Sequence, residues 1–196
     1  MNLPNKITFV RIILTLLIVI ILLFPFDALG ISSTKLFINE AIVVDIKYFI
    51  AGVIFVFAVF SDFIDGFIAR KYNMTTNLGK MLDVIADKFL VNSILIILTS
   101  QGLIHSIIPV IIITMDIVVD VIKGFVGNQC NNVTSNKTSK IRNFVLMFGI
   151  VLTLFNNLPF ELINIKVSDV ILVIACVLSV YATIQFYQEN KKIVLN

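Results

Sequence analysis

Four aspartates interrupt two of the chain's apolar runs: Asp62 and Asp65, three residues apart, and Asp83 and Asp87, four apart. Helical spacing puts each pair on one face of its own segment. An ionised carboxylate inside a bilayer costs about 2.5–3.5 kcal/mol on insertion scales, so its presence there is a sign of function. The short polar stretch 70–80 joins the two segments. They are therefore expected to run antiparallel as neighbours, with all four carboxylates converging on one small volume. Four such charges repel one another, and a hard divalent cation that prefers oxygen ligands, such as Mg²⁺, Mn²⁺ or Ca²⁺, relieves the repulsion. The one histidine, His105, belongs to the opposite side, and no cysteine cluster offers softer ligands. Gly66 beside Asp65 and Gly79 before Asp83 remove side chains next to the carboxylates, letting a ligand approach the backbone. Arg70, one turn beyond, has the planar fork that suits a phosphate. Together these residues describe a phosphate or diphosphate site at a membrane surface.

The elements that must position them follow from composition. The 196 residues are 59% hydrophobic and 14% charged, with a mean hydropathy of +1.04. Soluble domains run at roughly 45–50% apolar and about 25% charged. A soluble enzyme, a disordered chain, a collagen-like fibre and a disulfide scaffold are excluded, and an all-α integral membrane protein is expected. A crossing takes about 20 apolar residues, and the apolar runs give six transmembrane helices at 7–26, 46–69, 81–100, 106–127, 142–158 and 168–188. They form one bundle and one domain, 1–196. Lys6 and Arg11 precede the first apolar stretch, Ile12 to Phe24, with no small-x-small site after it, so a retained helix is expected rather than a cleaved signal.

Alternate segments separate eleven lysines and arginines on one side from three on the other. That bias places both termini, and the aspartates, on the cytoplasmic side of a multi-pass plasma-membrane protein. The net charge of +3 reports loop orientation, not a nucleic-acid partner. Cys130 and Cys176 are expected to be unpaired thiols.

The stretch Asp62-Phe-Ile-Asp65-Gly66-Phe-Ile-Ala69-Arg70, eight residues, Gly79, three residues, Asp83, three residues, Asp87 resembles the complete signature of the CDP-alcohol phosphatidyltransferases. It fixes eight positions over 26 residues. The opening Asn2-Leu-Pro4-Asn5-Lys-Ile-Thr8-Phe-Val-Arg11 is similar to the start of the bacterial phosphatidylglycerophosphate synthase branch, as are Ala69-Arg70-Lys71-Tyr72-Asn73 and Ala86-Asp87-Lys88. The resemblance implies transfer of a phosphatidyl group from CDP-diacylglycerol to an alcohol, with release of CMP. It implies Asp62, Asp65 and Asp83 as ligands of Mg²⁺ or Mn²⁺ against the diphosphate. Asp87 is implied as the general base that also faces the metal. Gly66, Arg70 and Gly79, with Asp62, would shape the nucleotide site. Membrane lipids as surroundings and a homodimer are implied in the same way.

In that branch the acceptor is sn-glycerol 3-phosphate, and two later segments supply its basic pocket. This chain departs from both. Met115-Asp116 stands where Arg-Glu is expected, with Lys123 at the later arginine position. Ser139-Lys140-Ile-Arg142-Asn143 replaces a Gly-Lys-x-Lys-Thr stretch. Lys123, Lys140 and Arg142 are left as the expected acceptor-phosphate cations, and their topological role is the competing reading. Asp116 and Asp120, four apart on one face, are placed to pair with these cations or to tune the pocket.

Other functions compete with this one. A cardiolipin synthase, or another enzyme of the family with a different acceptor, would share the signature. A cation transporter would also cluster carboxylates, but nearer the bilayer midplane and with repeated halves. A non-catalytic lipid-binding relative would explain the altered lysine stretch but not four intact aspartates.

Overall fold

The computed structural model of the chain describes residues 3–26, 35–38, 42–71, 77–129, 137–158, 160 and 165–194, with side chains described for 8–26, 45–61, 79, 81–127, 137–158, 160 and 165–191. Among the described residues six helices are present, as the apolar runs predict: α1 (Leu3–Leu23), α2 (Ile46–Lys71), α3 (Asn77–Ser100), α4 (Ile107–Gln129), α5 (Lys137–Leu154) and α6 (Val167–Val194). Pro4 falls in the first turn of α1, where a missing N–H costs nothing.

The all-α expectation needs one correction. Between α1 and α2 a two-stranded antiparallel hairpin pairs β1 (Lys35–Ile38) with β2 (Ile42–Asp45), Lys35 facing Asp45 and Ile38 facing Ile42. Ile42, Val43 and Val44 are β-branched and favour extended backbone. Strands of four residues are too short for alternation to reveal them in sequence.

Two helix ends explain where the chain turns. Past α3, Gly102 has φ +74°. Its N–H reaches Thr99 O at 3.0 Å and the next N–H, of Leu103, reaches Leu98 O at 2.9 Å. This is a Schellman cap. Past α5 the same cap is built on asparagine: Asn156 and Asn157 have φ of 55° and 59°. Asn156 N donates to Thr153 O at 3.0 Å and Asn157 N to Leu152 O at 2.7 Å. The helix therefore stops at Leu154, four residues before the expected 158. The Asn157 side chain then ties the connection down, donating to Ile165 O at 2.6 Å and accepting from Ser168 N at 3.0 Å.

α1 packs on α2 and α3, and α4 and α5 both pack on α6. Phe55, Ile94, Leu98, Ile112, Ile150 and Leu172 lie in one buried apolar cluster drawn from α2 to α6. The outward faces are apolar as well: Phe57, Phe60, Val110, Phe125, Phe144 and Val177 are all exposed. Among the described residues one helix, Val167–Lys191, is long and apolar enough to cross a membrane, and Thr8–Leu23 and Ile46–Ser61 are shorter apolar helices. In α3 and α4 the apolar run is broken by Asp83, Asp87 and Lys88 and by Asp116, Asp120 and Lys123. These six residues line one cavity.

Candidate active site

One cavity of about 240 Å³ opens between α3, α4 and α5, with Ala182 of α6 at its edge. Helical spacing explains its walls. From α3 it takes Asp83, Asp87 and Lys88, from α4 Asp116, Asp120 and Lys123, and from α5 Ser139, Lys140, Arg142 and Asn143. Residues three and four apart stack on one helix face, so each helix turns one polar stripe inward.

The charges in the wall are balanced and largely paired. Four carboxylates (Asp83, Asp87, Asp116, Asp120) meet four cations (Lys88, Lys123, Lys140, Arg142). Arg142 Nη1 donates to Asp116 Oδ1 and to Ser179 Oγ at 3.2 Å. Its Nε and Nη2 donate to Asn143 Oδ1 at 3.1 and 2.6 Å. Both side chains of the Arg142–Asp116 pair are mostly enclosed, at 11% and 13% exposure. Lys88 Nζ donates to Asp120 Oδ2, a more open pair. Asp83 Oδ1 accepts from Arg11 Nη1 at 2.9 Å. Among the described residues Lys123 and Lys140 have no hydrogen-bonding or ion-pair partner. Lys123 and Lys88 both lie within electrostatic reach of Arg142 and Asp116. Lys123 and Lys140 therefore have charge left to place against an incoming anion.

The structure thus brings Asp83, Asp87, Lys123, Lys140 and Arg142 to one cavity. Gly79 lies in the first turn of α3, outside the lining. Asp62, Asp65, Gly66 and Arg70 fall within α2, and their side chains lie outside the described residues. Cys176 is a buried free thiol, and Cys130 lies outside the described residues. Among the described residues no group of three or more His, Cys, Asp or Glu side chains is placed to hold a metal ion. Asp83 and Asp87, one turn apart in the cavity wall, nonetheless supply hard oxygen donors and no competing soft ones. Such donors suit Mg²⁺ or Mn²⁺.

A family model for the CDP-alcohol phosphatidyltransferases matches residues 1–181. The chain belongs to that family. Curated relatives agree with the match. A CDP-diacylglycerol–glycerol-3-phosphate 3-phosphatidyltransferase of Bacillus subtilis (strain 168) is 32% identical over 189 residues, 96% of this chain and 95% of the relative. Proteins of the same name from Rickettsia felis and Mycoplasma pneumoniae are 30% and 31% identical, covering 97% and 79% of this chain and 96% and 68% of their own lengths. The CDP-alcohol phosphatidyltransferases are membrane-associated and generally depend on a divalent metal.

Sequence reasoning gave neither Arg11 nor Lys88 a place in the site, although both stand in stretches similar to the family's. Their partners, Asp83 and Asp120, are 72 and 32 positions away. No local pattern in the sequence announces either pair.

Proposed function

We propose that this chain transfers the phosphatidyl group of CDP-diacylglycerol to sn-glycerol 3-phosphate, giving phosphatidylglycerophosphate and CMP. The observation that carries the reading is one cavity whose α3 and α4 walls each carry two aspartates and one lysine, while its α5 wall carries the cations Lys140 and Arg142. That is the polarity a phosphorylated acceptor needs when it meets a diphosphate donor. Asp87 takes the proton of the acceptor hydroxyl as its oxygen attacks the phosphatidyl phosphorus. The phosphorus–oxygen bond to CMP breaks, and the leaving phosphate carries the electron pair. Lys123 and Lys140 hold the acceptor phosphate with charge-assisted hydrogen bonds, and Asp116 fixes the fork of Arg142 beside them. Asp62, Asp65, Asp83 and Asp87 would hold Mg²⁺ or Mn²⁺, which draws negative charge off the diphosphate. Gly66, Arg70 and Gly79 would shape the nucleotide side of the site.

The chain acts as one domain, 1–196, with its six helices crossing the plasma membrane and both termini in the cytoplasm. The apolar outward faces of α2, α4, α5 and α6 support this, since lipid and not water suits exposed Phe57, Phe125, Phe144 and Val177. Charged α3 and α4 fit because their polar stripes face the cavity. Homodimerisation rests on the family resemblance alone.

The test is to offer the purified protein labelled CDP-diacylglycerol with glycerol 3-phosphate, inositol phosphate, serine or phosphatidylglycerol in turn. Phosphatidylglycerophosphate should dominate. Efficient cardiolipin formation from phosphatidylglycerol would overturn the acceptor assignment in favour of a cardiolipin synthase.

A further inference from the structure

A long side chain on α1 reaches the cavity wall from behind. Arg11 is 0% exposed, yet its Nη1 donates to Asp83 Oδ1 at 2.9 Å. A cation serving only topology at a helix end extends its head to water. Arg11 does the opposite, although a buried guanidinium is costly unless its partner and geometry are good. Its backbone is pinned: buried Thr15 donates through Oγ1 to Arg11 O at 2.8 Å. Thr8, nearly one turn earlier, is buried as well. The partner is asymmetric. Asp83 is 46% exposed and lines the cavity, whereas Arg11 does not.

We propose that Arg11 is a positioning residue: it grips one oxygen of Asp83 from the protein side so that the other is presented to a divalent cation in the cavity. The inference rests on the metal-dependent reading given above. Carboxylates that bind metals are oriented by outer hydrogen bonds, and losing one weakens binding about 10- to 100-fold. Charge alone predicts the reverse, because a neighbouring guanidinium repels a cation and removing it tightens binding. The sign of the change therefore separates orientation from charge compensation.

The experiment titrates Mn²⁺ into the full-length protein in detergent and follows free Mn²⁺ by electron paramagnetic resonance, with unfolding temperature measured in parallel. Arg11→Met keeps the bulk and removes the fork; Arg11→Lys keeps the charge and changes the reach and geometry. Mn²⁺ affinity is expected to fall about 10- to 100-fold in Arg11→Met and by a smaller factor in Arg11→Lys. KM for glycerol 3-phosphate should change little in either. Tighter Mn²⁺ binding in Arg11→Met would show charge compensation and overturn the proposal. So would wild-type affinity in Arg11→Lys, which decides the matter even if Arg11→Met fails to fold. A lowered unfolding temperature with unchanged affinity in both variants would reduce Arg11 to a structural role. If the unaltered protein binds no Mn²⁺, the metal reading and this inference fall together. The lipid product of the unaltered protein tests the acceptor separately, and it does not enter the Mn²⁺ comparison.

Discussion

At one end of the bundle Phe49 and Phe155 meet edge to face, their ring centroids 5.3 Å apart, and Gln101 Nε2 donates to Leu22 O at 2.7 Å. At the other, Arg142, Asp116, Lys88, Asp120, Lys123 and Lys140 surround an open cavity. The first end is closed by fit. A Cβ on Gly52 would stand 3.1 Å from the Phe155 ring, and one on Gly149 would stand 2.8 Å from Leu172 Cδ2. The second end is held by charge pairs of unequal burial and leaves room for a ligand. Apolar packing tolerates little change of volume, whereas a polar wall tolerates change of shape but little change of charge. Stability and chemistry are therefore separable along the bundle axis.

The strongest way to sharpen that contrast is Asp87→Asn, which keeps the volume and removes the proposed base. Turnover should fall about 10²- to 10⁴-fold, while size-exclusion behaviour and unfolding temperature stay near those of the unaltered protein. Substantial residual turnover would put the base elsewhere. Next comes Lys123→Met. A charge-assisted contact to phosphate contributes about 1.5–3 kcal/mol, so KM for glycerol 3-phosphate should rise by one to two orders of magnitude, with kcat little changed. Steady-state rates across acceptor concentrations check it, and an unchanged KM would remove Lys123 from the acceptor site.

At the packed end the pattern should invert. Gly149→Val forces a side chain against buried Leu172 and should destabilise the fold by about 1–3 kcal/mol. Reversible unfolding in detergent reads the loss, and the activity of the folded fraction should hold. A drop in turnover without a drop in stability would break the separation of the two ends. The smallest effect is expected for Asp120→Asn. Its partnership with Lys88 is half open to solvent, and such pairs are worth about 0–1 kcal/mol.

How much of this was legible beforehand depends on what each feature is made of. Helix number was, because a continuous apolar run is a local property. Helix ends were not. α6 continues past the expected 188 to Val194, carried by polar residues and by Gln185 Nε2 donating to Glu189 Oε1 at 3.0 Å. α5 starts at Lys137, not 142, where Thr138 Oγ1 donates to Gln185 Oε1 at 2.8 Å. An apolar run marks the part of a helix that suits lipid, whereas hydrogen bonds decide where the helix stops. The aspartates of α3 could be read from spacing within the helix, and the cations of α4 and α5 only from the resemblance to the family. The partners Arg11, Lys88 and Ser179 could not, since contacts between helices 32 to 72 positions apart leave no trace in local spacing.

The central claim is that this cavity couples release of CMP to formation of a phosphorylated lipid and needs a divalent cation to do so. The most direct measurement gives the purified full-length protein CDP-diacylglycerol and labelled glycerol 3-phosphate, and follows CMP and labelled lipid together, once with Mg²⁺ and once with excess chelator. CMP and phosphatidylglycerophosphate should appear in equal amounts with Mg²⁺, and neither should appear with chelator. CMP released without the labelled lipid, or full turnover in chelator, would contradict the account.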